Sequence, residues 1–318
     1  MGARGMMSKI GTKLGNYGLL GAFIVLVLVF VVTAPNFAST TNILNIFRNA
    51  ALVAIVAIPM TFVLISGEID ISSGPLAAFS GVAFALLLTA AGFSLPIAVV
   101  VILLLGFCSG AFVGAMRSYL NVPSFITTLA LWGALRGLAI WSSNGHAIFL
   151  KDSDLREMLG GDWLGIPVPV YFGLVVFAAY YYVAKYTPFG RSVYAVGGNE
   201  ASARLVGIVV PRIKILSLAA TGMFAALAGL LIDARLSSGN ANAADGFEFD
   251  VIAAVVVGGT SLSGGSGNVV GTVIGVLFIA VLSNGLVLLG MNPYLQSVVR
   301  GLVILLAVLL NVMVRRKA

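Results

Sequence analysis

Long apolar runs alternate along this chain with short stretches in which charges, glycines and prolines collect. The first run covers about 18–32, behind a stretch carrying Arg4, Lys9 and Lys13. Nine more follow at about 49–66, 75–91, 95–116, 123–141, 168–184, 213–233, 250–265, 266–289 and 295–314. They lack the alternation of apolar and polar positions that marks an outer-membrane strand. A helix needs roughly 20 residues to cross a bilayer, so the runs predict ten transmembrane helices, several at the short end. The run at 250–265 is the weakest, because the apolar core from Val251 to Val257 is short and glycines follow it. The first run reads as an anchor helix; it is long for the apolar part of a signal peptide, and TAPNFAS is a poor small-x-small cleavage site.

The connecting charges test this count. The stretch 185–214 holds Lys185, Arg191, Arg204, Arg212 and Lys214 against Glu200, and an excess of Lys and Arg marks a cytoplasmic loop. Asp152, Asp154, Glu157 and Asp162 outnumber Lys151 and Arg156 in 142–169, which reads as external. So does 234–250, with Asp245, Glu248 and Asp250 against Arg235. The C-terminal Arg315, Arg316 and Lys317 read as internal. Ten spans satisfy all of these with both termini in the cytoplasm, whereas nine would put one terminal basic cluster outside. No connection is long enough for a separate soluble unit, so residues 1–318 form one all-α polytopic membrane domain, with 185–214 as its cytoplasmic loop.

Composition excludes the competing classes. Of 318 residues, 60% are hydrophobic and only 9% charged, with a mean hydropathy of +1.09; a soluble domain carries about 25% charged residues. Disorder requires the opposite balance. The formal charge of +7 belongs to membrane orientation and gives no reason to expect nucleic acid. One cysteine, Cys108, and one histidine, His146, make neither an internal disulfide nor a metal site. The sequence has no phosphate-binding G-x-x-x-x-G-K-[ST] loop and no H-E-x-x-H. A membrane-embedded enzyme is therefore the weakest reading, for want of a catalytic cluster.

Three constellations stand out. The first, ISGEIDISSGP at 65–75, breaks two apolar runs with Gly67, Glu68, Asp70, Gly74 and Pro75. Broken segments at membrane depth point to a translocation path, and acids there are costly without a role; Glu68, Asp70 and Ser72 become path candidates. The bland alternative is an ordinary turn, with Pro75 opening the next helix. The second, VGGTSLSGGSG at 257–267, offers Thr260, Ser261 and Ser263 to a polar solute. Its five glycines favour close helix packing over direct contact with a ligand. The third is FGRSVYAVGGNEASARLVGI at 189–208, where Asn199 can cap a short helix from Glu200 to Leu205 that Gly207 ends. A capped helix on the inner face suits docking of a soluble partner; a plain positive-inside anchor is the alternative.

Smaller features complete the picture. Gly106/Gly110/Gly114, Gly133/Gly137 and Gly271/Gly275 recur every fourth residue, the spacing of close helix contacts in membranes. Arg136 and Arg300 lie within spans, towards their external ends. Snorkelling or structural pairing is the first reading for them, and lining the mouth of a polar path the second.

These motifs resemble the permease subunit of bacterial ATP-binding-cassette sugar importers, in the ribose, xylose, arabinose and galactoside branch. The likeness covers nearly the whole chain. It is carried by GEIDISSG at 67–74, TLALWGALRGLA at 128–139, GRSVYAVGGNEASARLVGI at 190–208 and GGTSLSGGSG at 258–267, in that order. In the family the first motif reads close to GGIDLSVGS; here Glu68 stands for a glycine and Pro75 for the closing serine.

The resemblance implies about ten helices in the bacterial inner membrane. It implies two permease subunits, alike or merely related, working with a pair of ATPase chains, and a periplasmic sugar-binding protein that delivers the substrate. ATP and Mg would sit on the ATPase, and no cofactor on this chain. The segment with Asn199, Glu200, Ala201, Arg204 and Gly207 would couple to the ATPase, and a monosaccharide would cross by alternating access. Two rival readings of the residues are an ion-coupled transporter using Glu68 and Asp70, and a facilitator that needs no ATP.

Overall fold

The computed structural model describes residues 3–150 and 156–316. Lys151, Asp152, Asp154 and Lys317, expected in the external loop and at the internal end, lie outside the described residues. The described chain is mostly helical. In order it forms α1 (Ala3–Thr33), α2 (Thr40–Ile65), α3 (Ser73–Thr89), α4 (Leu95–Tyr119) and α5 (Ser124–Ser142), then α6 (Val168–Tyr186), α7 (Pro188–Gly198) and α8 (Glu200–Leu205). The remaining helices are α9 (Val210–Leu236), α10 (Phe247–Val257), α11 (Val269–Leu288) and α12 (Pro293–Arg316). Helices α2, α4, α5, α6, α9 and α11 are each long and apolar enough to cross a membrane. The protein is an all-α polytopic membrane protein.

Each of the ten apolar runs contains a helix, with instructive differences at the edges. Helix α2 starts well before the apolar run, because Ser39 caps it by accepting the Asn42 amide and the polar first turns remain helical. Asn42 and Asn284 of α11 then exchange two amide hydrogen bonds of 3.0 and 2.8 Å. Helix α10 has 11 residues and stops at Val257, where the glycine-rich segment begins. Helix α3 starts at Ser73, which puts Pro75 two residues inside it rather than at its first position.

Helix α2 is the core. From Ala50 to Ile65 it is apolar all round but for Thr61, as expected of a helix enclosed by others, and every residue of that stretch is buried. Helices α6, α9, α10 and α11 pack around it. Glycines set the closest crossings. A Cβ on Gly106 would lie 2.4 Å from the Gly222 carbonyl oxygen, and one on Gly110 2.1 Å from that of Leu218, so α4 and α9 meet backbone to backbone. Gly271 and Gly275 do the same for α11 against Gly258 and Ala254. Gly133 and Gly137 differ: nothing lies within 4 Å of where their Cβ atoms would be.

One end of the bundle carries two short β pairs, Ile148–Phe149 with Ser238–Gly239 and Asp162–Trp163 with Ile166–Pro167. Arg48 pairs with Asp162 there. The opposite end holds the C-terminus of α2, the N-terminus of α9, and α7 and α8. That end is the junction described next.

Candidate functional site

The junction is built from a helix–turn–helix. Thr187 caps α7 by accepting the Gly190 amide at 3.2 Å, and Pro188 at the first position fits a helix start. Helix α7 ends at Gly198. Asn199 is extended (φ −161°), and its Oδ1 accepts the Ser202 amide at 2.9 Å, capping α8 as its sequence predicts. Gly207 (φ +83°) takes the left-handed turn that returns the chain to α9. Ala203 faces inward, whereas Ala201 is exposed. Leu205 and Val206, 88% and 75% exposed, form an apolar tip that touches little of the chain.

All three constellations meet here. A Cβ on Gly197 would lie 1.6 Å from the Ile65 carbonyl oxygen and 2.7 Å from the Gly265 nitrogen. The Gly265 amide donates to that same Ile65 oxygen at 2.8 Å. The Tyr194 hydroxyl donates to the Gly267 carbonyl at 3.0 Å. Only residues without side chains allow the end of α2, the end of α7 and the 264–265 turn to touch through their backbones.

Charges bind the same elements. Lys214 Nζ lies 2.7 Å from Glu68 Oε1 and 2.7 Å from Glu200 Oε2. Arg117, in the last turn of α4, donates through Nε to Glu68 Oε1 at 2.9 Å, and its Nη2 is 4.0 Å from Glu200 Oε2. Arg204 donates to Glu200 Oε1 at 2.6 Å. Two carboxylates and three cations thus tie α4, α8 and α9 to the break between α2 and α3. The Arg204 guanidinium and the Lys214 ammonium hold the Glu200 carboxyl well below its ordinary value, at about 2. A cleft of about 300 Å³ opens beside this cluster, lined by Gly67, Glu68, Ile69, Arg117, Pro123, Ser124 and Phe125.

The other predicted residues divide by place. Asp70 is buried and turns back on its own segment, where Oδ1 accepts from the Ser72 amide at 2.8 Å and the Ser72 hydroxyl at 2.6 Å. Thr260 and Ser261 are buried in the glycine-rich turn, and the Ser261 and Ser263 hydroxyls lie 3.0 Å apart. Arg136 sits far from the junction, donating to the Ala241 carbonyl at 2.7 Å and to Asp245 at 2.9 Å. Near it, Trp132 donates to buried Glu248 at 2.7 Å. Gly74 makes room for that carboxylate, since a Cβ there would lie 1.8 Å from Glu248 Oε2. In α12, Arg300 Nε lies 3.0 Å from Asp250 Oδ1. In the sequence Lys214 and Glu248 count only as loop charges, and Arg117 and Tyr194 do not stand out. The available signal was a basic residue at the edge of an apolar run, which the inside-positive bias already explains.

Residues 42–308 match the model of the family described as branched-chain amino acid transport system / permease component. The chain is 47% identical over 311 residues to the probable ABC transporter permease protein YphD of Escherichia coli K12, covering 97% of this chain and 93% of that one. It is 44% identical to the ribose import permease protein RbsC of Haemophilus influenzae, over 91% and 90% of the two chains. It is 32% identical to the xylose transport system permease protein XylH of Escherichia coli K12, over 94% and 92%. No solved structure matches.

Proposed function

Since the chain belongs to the branched-chain amino acid transport system / permease component family, we propose that it is the permease subunit of an ATP-binding-cassette importer that carries a monosaccharide across the bacterial inner membrane. The ribose and xylose permeases among its relatives favour a sugar over an amino acid. The observation that carries the reading is α8. It is capped at Asn199, ion-paired to the bundle on one side, and presents Leu205 and Val206 bare on the other. A rigid helix with an apolar tip is a fit occupant for a groove on a soluble partner.

Ten crossings of alternating direction would bring both termini to the side of α8. That side carries Lys185, Arg191, Arg204, Arg212 and Lys214, which supports a cytoplasmic assignment. A separate ATPase pair, holding ATP and Mg, would dock at α8 of this subunit and of a second permease subunit. ATP binding would then move α8 and turn the path between the subunits outward, to a periplasmic sugar-binding protein; hydrolysis would return it. Arg136 and its polar neighbours, remote from the junction, remain candidates for contact with the passing sugar. Glu68 and Asp70, held in ion pairs and in a turn, serve better as structure of the junction than as ion-coupling acids.

The test is reconstitution in liposomes with the ATPase inside and the binding protein outside, using labelled pentoses and hexoses. The expected result is uptake that requires both partners and ATP. Uptake by the chain alone, without ATP, would overturn the reading in favour of a facilitator or ion-coupled carrier.

A further inference from the structure

We propose that Lys214 is a positioning residue that transmits movement of the docking helix to the break between α2 and α3, by sharing one ammonium between Glu200 and Glu68. This rests on the reading of α8 as the ATPase contact. It adds the route by which that contact reaches the membrane-embedded core.

The geometry is specific. Glu200 is the first residue of α8, and Lys214 lies in the first turns of α9, one short loop later. Its side chain is only 4% exposed, as is that of Glu68. An ammonium has three donor hydrogens and a full positive charge, so it can serve two carboxylates at once and offset the charge of both, which a neutral amide cannot. Arg117 approaches the same two carboxylates from α4 and closes a four-membered ring of alternating charge. The ring spans two environments: Glu200 remains a third exposed, and Glu68 is enclosed.

Stability is a poor explanation for this arrangement. A buried ion pair is often no better for stability than apolar residues of the same volume, because desolvating two charges offsets their attraction. What such a pair does enforce is position, since separating the partners leaves a charge uncompensated in a water-poor site. If α8 shifts, Lys214 must therefore follow Glu200 while holding Glu68. Glu68 follows Gly67, whose backbone (φ +81°) marks the end of the core helix α2. Displacement at the docking surface is then delivered to the helix around which the bundle packs.

The experiment measures sugar moved per ATP hydrolysed, in proteoliposomes with the ATPase and the binding protein, for wild type, Glu68→Gln, Lys214→Gln, Lys214→Arg and the Glu68→Gln/Lys214→Gln double variant. Co-elution of each variant with the ATPase in size-exclusion chromatography serves as the check on folding and docking. The expected result is a fall in the transport ratio of about 5- to 150-fold, the usual scale of coupling between two sites, in both Gln variants. The double variant should be no worse than either single one, as for two residues acting as a unit, and Lys214→Arg should recover much of the ratio. An unchanged ratio in co-eluting Gln variants overturns the proposal, as does loss of co-elution in every Lys214 variant, which would make Lys214 a support for docking alone. If wild type itself neither binds an ATPase nor needs ATP, the reading of α8 fails first, and this proposal with it.

Discussion

Replacing Gly197 with alanine tests the backbone contact on which the junction depends. The new Cβ would begin 1.6 Å from the Ile65 oxygen and 2.7 Å from the Gly265 nitrogen. Close carbon–oxygen contacts lie at about 3.3 Å, so α7 must move away from the end of α2 by roughly 1.7 Å. That movement also strains the 2.8 Å hydrogen bond from Gly265 to Ile65. Overpacking of this kind costs about 1–3 kcal/mol, and a buried amide left without its partner about 1–3 kcal/mol more. Better helix propensity returns about 1 kcal/mol, which leaves a net loss of about 1–5 kcal/mol. The neighbouring Gly198 is the internal control. Nothing lies within 4 Å of its Cβ position, so Gly198→Ala should be neutral or slightly stabilising. Thermal unfolding of the purified protein in mild detergent compares the two. Equal unfolding temperatures for the two variants would refute the reasoning.

Three further outcomes are expected. Leu205→Asp with Val206→Asp removes the apolar tip of α8; unfolding should change by no more than about 0.5 kcal/mol, as for exposed sites, while binding of the purified ATPase should weaken by tenfold or more on the scale of interface anchors, and unaltered binding would count against the docking role. Because Arg204 and Lys214 hold Glu200 at about 2 against an ordinary 4.5, its stabilising contribution is complete above about pH 4.5 and is lost as pH falls through the folded value. The difference in unfolding temperature between wild type and Glu200→Gln should then persist from about pH 8 to about pH 5 and shrink below that; a difference that widens on acidification would contradict the pairing. Gly110→Ala should lower the unfolding temperature, since its Cβ would meet the Leu218 carbonyl at 2.1 Å, while Gly133→Ala, which faces open space, should not.

The helices were legible because lipid-facing and enclosed spans are both apolar over long runs. Asn199 and Gly207 were legible because capping and left-handed turns are local properties of one or two residues. Helix α7 was read as loop: its eleven residues are amphipathic rather than apolar, although Thr187-Pro188 was a start signal in plain view. The junction itself was not legible. Ile65, Gly197 and Gly265 are remote in sequence, and the use that Gly197 and Gly265 make of a missing side chain against the Ile65 carbonyl appears only once the three backbones are together. Glu68 stood out as an acid at membrane depth, but its partners came from α4 and α9, where Arg117 and Lys214 resembled the charges that orient any membrane protein. The glycine stripes show the same limit: spacing singled out Gly106 and Gly133 alike, and only the first has a neighbour.

The most direct test of the account is a cross-link from α8 to the ATPase. With Cys108, the sole native cysteine, replaced by serine, Leu205→Cys gives a single thiol at the exposed tip. Mild oxidation of membranes containing single-cysteine variants of the P-loop ATPase should give a disulfide-linked pair at a groove position, with a yield that changes when ATP is bound. Absence of any cross-link across a scan of the ATPase surface, in membranes that import sugar with ATP, would contradict the placement of α8 as the coupling element.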